Sequence, residues 1–361
     1  MPITTGHKGL VSPYTYNEHV FPILNDRCAA CHFERGPAQM SVLDYDSVAP
    51  WSEAMRLQLL SESMHPDFVD PIDSAVMREP TISPRDLDVL LTWVGGGAPR
   101  GEATPPRAIA PTRLRWTSGR PDLIIPMRVP HTVHAGDREE IHEFSLPTGL
   151  SETKWVRGLE LQPGNRSIVR DAEIRVADGP TLALWNPAQK AMATPMGTAF
   201  ELSPGAMVRL TIHYKKNYRD DDSALTDRSR VGLYFAQPSR SATIQTLLLS
   251  GPATDAATES RVLTGMLAAP VRMLAIRGSL DRDYSSVTAE ALTPTGCRSL
   301  LVLRSPRADW PRRYWLADPI DLPPGTTIRV TATPLARPSV DALVRPSHRF
   351  EVAVEFLGQR Q

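Results

Sequence analysis

Cysteine is scarce in this chain, three in 361 residues, so a disulfide framework is not its scaffold. Long apolar runs are missing too. No window of about 20 apolar residues occurs, so no transmembrane helix is encoded. Net charge is zero, and a neutral chain lacks the basic excess of a nucleic-acid binder. The sequence also has no Ser/His/Asp catalytic signature, no phosphate-binding glycine loop and no zinc-protease motif.

Two of the cysteines stand together in Cys28-Ala29-Ala30-Cys31-His32. Thiols three positions apart can bond both vinyl groups of one porphyrin, and the histidine that follows can reach the iron. C-x-x-C-H therefore reads as an attachment site for one covalent haem c. A thioredoxin-like pair opens a helix inside a βαβ unit and needs no trailing histidine. A zinc site needs further ligands, and Cys297 stands far away and alone.

Haem iron takes a sixth ligand, often a methionine thioether. Met40, Met55, Met64 and Met77 follow the motif, although a methionine is more often a core filler. Met64 stands before His65-Pro66, and the proline constrains the loop that presents the sulfur. Met77 is the second candidate, and His65 would give bis-histidine ligation. Around these lie helical signals: Tyr16 to Asn25, Trp51 to Glu62, and a helix begun by Ser83-Pro84 and stopped by Gly95-Gly96-Gly97.

Val20-Phe21-Pro22-Ile23-Leu24, the haem motif, Met64-His65-Pro66 and Leu91-Thr92-Trp93-Val94-Gly95 together resemble a bacterial monohaem cytochrome c module. That resemblance implies a small all-α domain over residues 1–104, with Met64 as the distal ligand. The family's Met-Pro-Pro is here Met-His-Pro. Covalent haem attachment implies a periplasmic or extracytoplasmic bacterial location. Met1 begins no apolar secretion segment, so a signal would lie outside this numbering.

Residues 1–104 carry seven basic and fourteen acidic side chains, so the first part is acidic and the remainder basic. The two parts could dock on each other, or the acidic part could steer a redox partner. Pro105, Pro106 and Pro111 mark a stiff linker over 105–119. Beyond it, alternation takes over. Val208, Leu210, Ile212 and Tyr214 share one face, and Phe350 to Phe356 alternates in the same way. Lys154–Leu161, Ile168–Val176, Arg230–Ala236, Ile244–Leu249, Ser299–Arg304 and Thr327–Ala332 are further strands. Two tandem β-sandwiches are expected, over 120–241 and 242–361.

Trp155 to Arg166, Ile212-His213-Tyr214 with Asp227 to Ala236, and Arg313-Tyr314-Trp315 with Leu322 to Thr326 resemble the copper-dependent ascorbate monooxygenases. These include the peptidylglycine α-hydroxylating and dopamine β-monooxygenases, and the resemblance implies jelly-roll-type sandwiches. The family's copper ligands are not matched. Arg170-Asp171 replaces a His-His pair, which leaves His213 as a lone vestigial ligand. Met273-Leu274-Ala275 replaces a His-x-His, and no methionine follows Met273. A guanidinium cannot ligate copper, so copper is not expected. His131, His134 and His142 cluster near the start of the sandwich, where His131-x-x-His134 could bind a metal from a loop but reads as exposed or capping, and the isolated His348 reads as structural or exposed.

The expected protein is multidomain: a monohaem electron carrier or redox subunit whose inactive monooxygenase-like body is an interaction scaffold. Partners would be redox proteins or a larger membrane-associated complex. An active copper monooxygenase fed by its own haem is the competing class. A structural subunit of a respiratory or photosynthetic assembly is the third.

Overall fold

Alternating apolar side chains dominate the fold. The computed structural model describes residues 11–61, 68–77, 82–102, 104, 116–189, 191–237, 242–251, 259–308, 310–335 and 350–358. Met64, His65, His348 and most of the Pro-rich linker lie outside them.

Strand dominates, in agreement with the all-β body expected from the alternation. The first sandwich faces β3 (Glu139–Pro147), β9 (Met207–Lys215), β5 (Val169–Val176) and β6 (Thr181–Trp185), in that order, against a second sheet. That sheet runs through β1 (Leu123–Pro126), β11 (Arg230–Ala236), β4 (Lys154–Gln162), β8 (Thr198–Leu202) and β12 (Ala242–Thr243), with β7 (Met192–Ala193) also on β4, while β2 (His131–Val133) and β10 (Leu225–Asp227) pair separately. Val208, Leu210, Ile212 and Tyr214 are fully buried between them, the face the alternation selects. A core strand of this kind costs about 2–5 kcal/mol for each Leu or Ile cut to Ala.

The second sandwich is built the same way. One sheet orders β13 (Gln245–Ser250), β20 (Glu351–Gly358), β15 (Val271–Ser279) and β18 (Arg312–Leu322). The other orders β14 (Arg261–Leu267), β19 (Thr326–Pro334), β16 (Tyr284–Thr293) and β17 (Gly296–Arg304). The two sandwiches meet through Arg313. Its guanidinium donates to the Thr181 and Leu182 carbonyls of β6, at 2.6 and 2.8 Å, and to Glu355 at 2.9 Å. Leu274 inserts into the first core.

Among the described residues the α-helices all lie in the N-terminal part, and one short 3-10 turn (Tyr218–Asp220) follows β9. A π-turn (Tyr16–Val20) leads into α1 (Phe21–Arg27), and α2 (Tyr45–Val48), α3 (Ser52–Leu60) and α4 (Pro84–Gly95) follow. Pro22 has no N–H to donate back, which fits the loosened turn before it. Ser83 caps α4, its Oγ accepting from the Asp86 N–H at 3.0 Å. Tyr16, Val20, Phe21, Leu24, Leu90 and Trp93 form the small core. Trp93 Nε1 donates to the Pro99 carbonyl at 2.9 Å and Tyr16 Oη to Val42 at 2.7 Å, so both buried polar tips are satisfied.

The segment 68–77 works elsewhere. Phe68, Val69 and Val76 join the core of the second sandwich. Val69 bridges to Leu303 of β17 and Val76 to Leu316 of β18. Each is an edge strand of its sheet, so one strap covers one edge of both sheets.

Candidate functional site

The cysteine–histidine motif begins where α1 ends. Cys28 caps the helix, its N–H bonding to Leu24, and its own carbonyl accepts from Cys31 at 3.1 Å and His32 at 2.9 Å. The motif is thus a tight turn continuing the helix, which brings both thiols and the imidazole close in space. The loop beyond locks it from behind. Ala38 N–H donates to the Cys31 carbonyl and Val42 N–H to that of His32. Gly36 makes the close approach possible, because a Cβ there would meet the Cys31 carbonyl at 2.6 Å and the Phe33 ring at 2.7 Å.

Both thiols are free. Burial pushes Cys28 up to about 12 and Cys31 up to about 11. They are therefore un-ionised near neutral pH, unlike the low-pKa thiolate of a disulfide oxidoreductase. Burial also lowers the His32 imidazole, opposed by the Met40 backbone. Its Nδ1 is buried without a hydrogen bond of normal geometry. A neutral imidazole can offer a ring lone pair to a metal. Two unbonded thiols and this imidazole on one turn fit a covalently held haem. Met77 sits on the strap, more than half exposed, its N–H donating to the Trp315 carbonyl at 2.7 Å.

The first sandwich pairs Asp171 with His213 and gives the neighbouring Arg170 other partners. Asp171 on β5 and His213 on β9 are cross-strand partners, and Nδ1 lies 2.7 Å from Asp171 Oδ2. Nε2 lies 2.7 Å from Glu139 Oε1, and Glu139 also pairs with Lys215 at 2.9 Å. Burial pushes Glu139 up, but the bonds from Lys215 and His213 outweigh it and leave its carboxyl below the ordinary value. Arg170 falls in a bulge between Val169 and Asp171. The bulge turns it away from Asp171, and it donates to the Ser167 carbonyl and to Asn217 Oδ1, at 3.0 and 3.3 Å.

His131, near His134 in sequence, stacks on His142 with ring centroids 4.4 Å apart and pairs with Glu140. Among the described residues no group of three or more His, Cys, Asp or Glu is placed to hold a metal ion.

Sequence reasoning missed Glu139, Arg166, Asn217 and Gly36. Glu139 opens a strand in which Ile141, His142 and Phe144 follow, a weak alternation that could have placed it. Asn217 and Gly36 carry no local signal, because their contact spans 181 residues.

No protein-family model matches the chain, and no curated protein sequence does. Among solved structures it is similar to a xanthan lyase from Paenibacillus, with 13% identity, 72% of this chain covered and a TM-score of 0.19. The chain spans 28% of that lyase's length. It is also similar to the major capsid protein P2 of bacteriophage PM2, at 10% identity over 66% of this chain and 97% of that one, TM-score 0.29. An allantoicase from Saccharomyces cerevisiae reaches 10% identity over 61% and 78%, TM-score 0.19. Likenesses this slight carry no argument about this chain.

Proposed function

We propose that this chain is an extracytoplasmic monohaem electron-transfer protein or redox subunit, carrying one covalent haem on Cys28, Cys31 and His32. The observation behind it is the single tight turn that groups two unbonded, half-buried thiols with a half-buried imidazole. A haem held there would supply one-electron chemistry through its iron. The chain's own part is to fix the group: two thioether anchors, one axial nitrogen, and a loop braced by Gly36 and Ala38. Met64 is the proposed distal ligand, with Met77 or His65 as alternatives.

The tandem sandwiches are proposed as jelly-roll-type relatives of the ascorbate monooxygenases that serve as an interaction scaffold. In support, both ring nitrogens of His213 are engaged by carboxylates. Copper binding there would have to displace those hydrogen bonds, and one imidazole is one ligand. The strap packs on β17 and β18, and Arg313 joins the two sandwiches. The proposed partners are redox proteins or a larger membrane-associated assembly.

The test is haem staining after denaturing electrophoresis, with a pyridine haemochrome count on protein matured in a cytochrome c-competent host. One haem per chain should survive denaturation and be lost in the Cys28→Ala/Cys31→Ala variant. Haem that extracts freely into acid–acetone overturns the proposal.

A further inference from the structure

The loop that follows the cysteine–histidine turn is docked on the first sandwich. Asn217 Nδ2 donates to the Gly36 carbonyl at 3.0 Å in a buried contact. Arg166 lies over the Phe33 ring, 5.4 Å from its centroid. Arg170 holds Asn217 from behind, its Nη2 donating to Oδ1 at 3.3 Å. Asn217 is thus gripped on both sides, by the loop and by an arginine. The two guanidiniums that reach this contact belong to the body, yet they stand against the loop carrying Cys31.

Their fields reach the attachment turn. Arg166 lies over Phe33, the residue after His32, and Arg170 is joined to the loop through Asn217. Burial lowers both guanidiniums, Arg170 to about 10, and an arginine side chain is cationic at neutral pH. Burial also weakens solvent screening around them.

We propose that Arg166 and Arg170 form a fixed cationic edge that raises the reduction potential of the haem, with the Asn217–Gly36 bond holding edge and loop in register. The inference rests on the haem reading above. Oxidising a haem iron adds one positive charge. A nearby fixed cation makes that charge costlier and favours the reduced form. Through a partly buried medium, one guanidinium is expected to shift the reduction equilibrium about tenfold, which is 59 mV for a one-electron couple. The body would then tune the electron carrier directly.

The experiment is a potentiometric titration of the holo-protein and its variants, each with haem content and far-UV circular dichroism measured. Arg166→Gln and Arg170→Gln should each lower the potential by about the tenfold step, and the double variant by more. Arg170→Lys keeps the charge and should stay near the wild type, which a purely packing role would not produce. If the double variant fails to fold, either single substitution beside Arg170→Lys decides the question. Native dichroism and one haem per chain with an unmoved potential overturn this inference. Chains that never take up covalent haem overturn the haem reading instead.

Discussion

Asp171 and His213 face each other across β5 and β9 with a 2.7 Å contact, and Glu139 closes on the other side of the same imidazole. A histidine held on both sides is a structural hub tying three strands, since Glu139, Asp171 and His213 come from β3, β5 and β9. Its chemistry follows from those contacts. Copper added to the purified protein should bind weakly and without saturating at one equivalent, by calorimetry or electron paramagnetic resonance. Asp171→Ala should destabilise the sandwich by about 1–3 kcal/mol, because it strands a buried polar group. Stoichiometric copper in the protein as isolated, or ascorbate-driven hydroxylation, would restore the monooxygenase.

The loop behind the cysteines is sensitive at Gly36. A methyl group there collides with the backbone of Cys31 and the ring of Phe33. Gly36→Ala should cost about 1–3 kcal/mol and weaken the contact with Asn217. Thermal unfolding followed by circular dichroism measures the first effect. Amide exchange at Gly36 and Ala38 measures the second, and unchanged protection there would show that the loop can yield.

Much of the body was legible in the sequence. The alternation in Val208 to Tyr214 selected the buried face correctly, because strand periodicity is local and one face must meet the core. Ser83 as helix cap was legible for the same reason: a cap acts within three residues. The strap was not. Phe68, Val69 and Val76 lie in the same acidic N-terminal stretch as the helices, but their partners are Leu303 and Leu316, more than 200 residues on, and no local pattern encodes such a contact. Arg170 illustrates the other limit. A bulge changes which way a side chain points, and sequence shows the residue without its direction.

The strap should answer to acid. Asp70 accepts from the Ile72 and Asp73 N–H groups at 2.9 and 3.2 Å and pairs with Arg304. The Ile72 N–H first, then Arg304 and the Asp73 N–H, hold its carboxyl below the ordinary 3.8. A depressed folded-state value means the contribution is complete above 3.8 and is lost as pH falls through the lower, folded value. Amide protection of Ile72, Asp73 and Ala75 should therefore be flat near neutrality and drop below that point. Asp70→Asn should weaken protection at neutral pH and flatten the acid dependence. A variant with the wild-type acid profile would remove Asp70 from this role.

Glu355 has no solvent exposure and pairs with Arg313 at 2.7 Å, with the Arg277 guanidinium 3.9 Å away. Truncating it leaves buried cations without their anion. Glu355→Ala should cost about 3–5 kcal/mol, while Glu355→Met with Arg313→Met should cost less, because the pair leaves together. Chemical denaturation of the three proteins gives the comparison. Equal losses in the single and double variants would mean that packing, not charge, dominates at this junction.

The distal ligand can be separated by spectroscopy. Met77 is tied by its N–H to Trp315 on the second sandwich and leaves more than half its surface in solvent. A thioether committed to iron needs a fixed, shielded sulfur, and this one is neither packed nor enclosed. Met64 is followed by His65-Pro66, where the proline limits the backbone and restricts where the sulfur can go. Oxidised protein should show the weak far-red charge-transfer band of methionine-ligated haem. The band should persist in Met77→Ala and disappear in Met64→Ala, with a lowered potential. Loss in Met77→Ala alone would move the ligand to the strap. A wild-type spectrum without the band, altered by His65→Ala, would establish bis-histidine ligation.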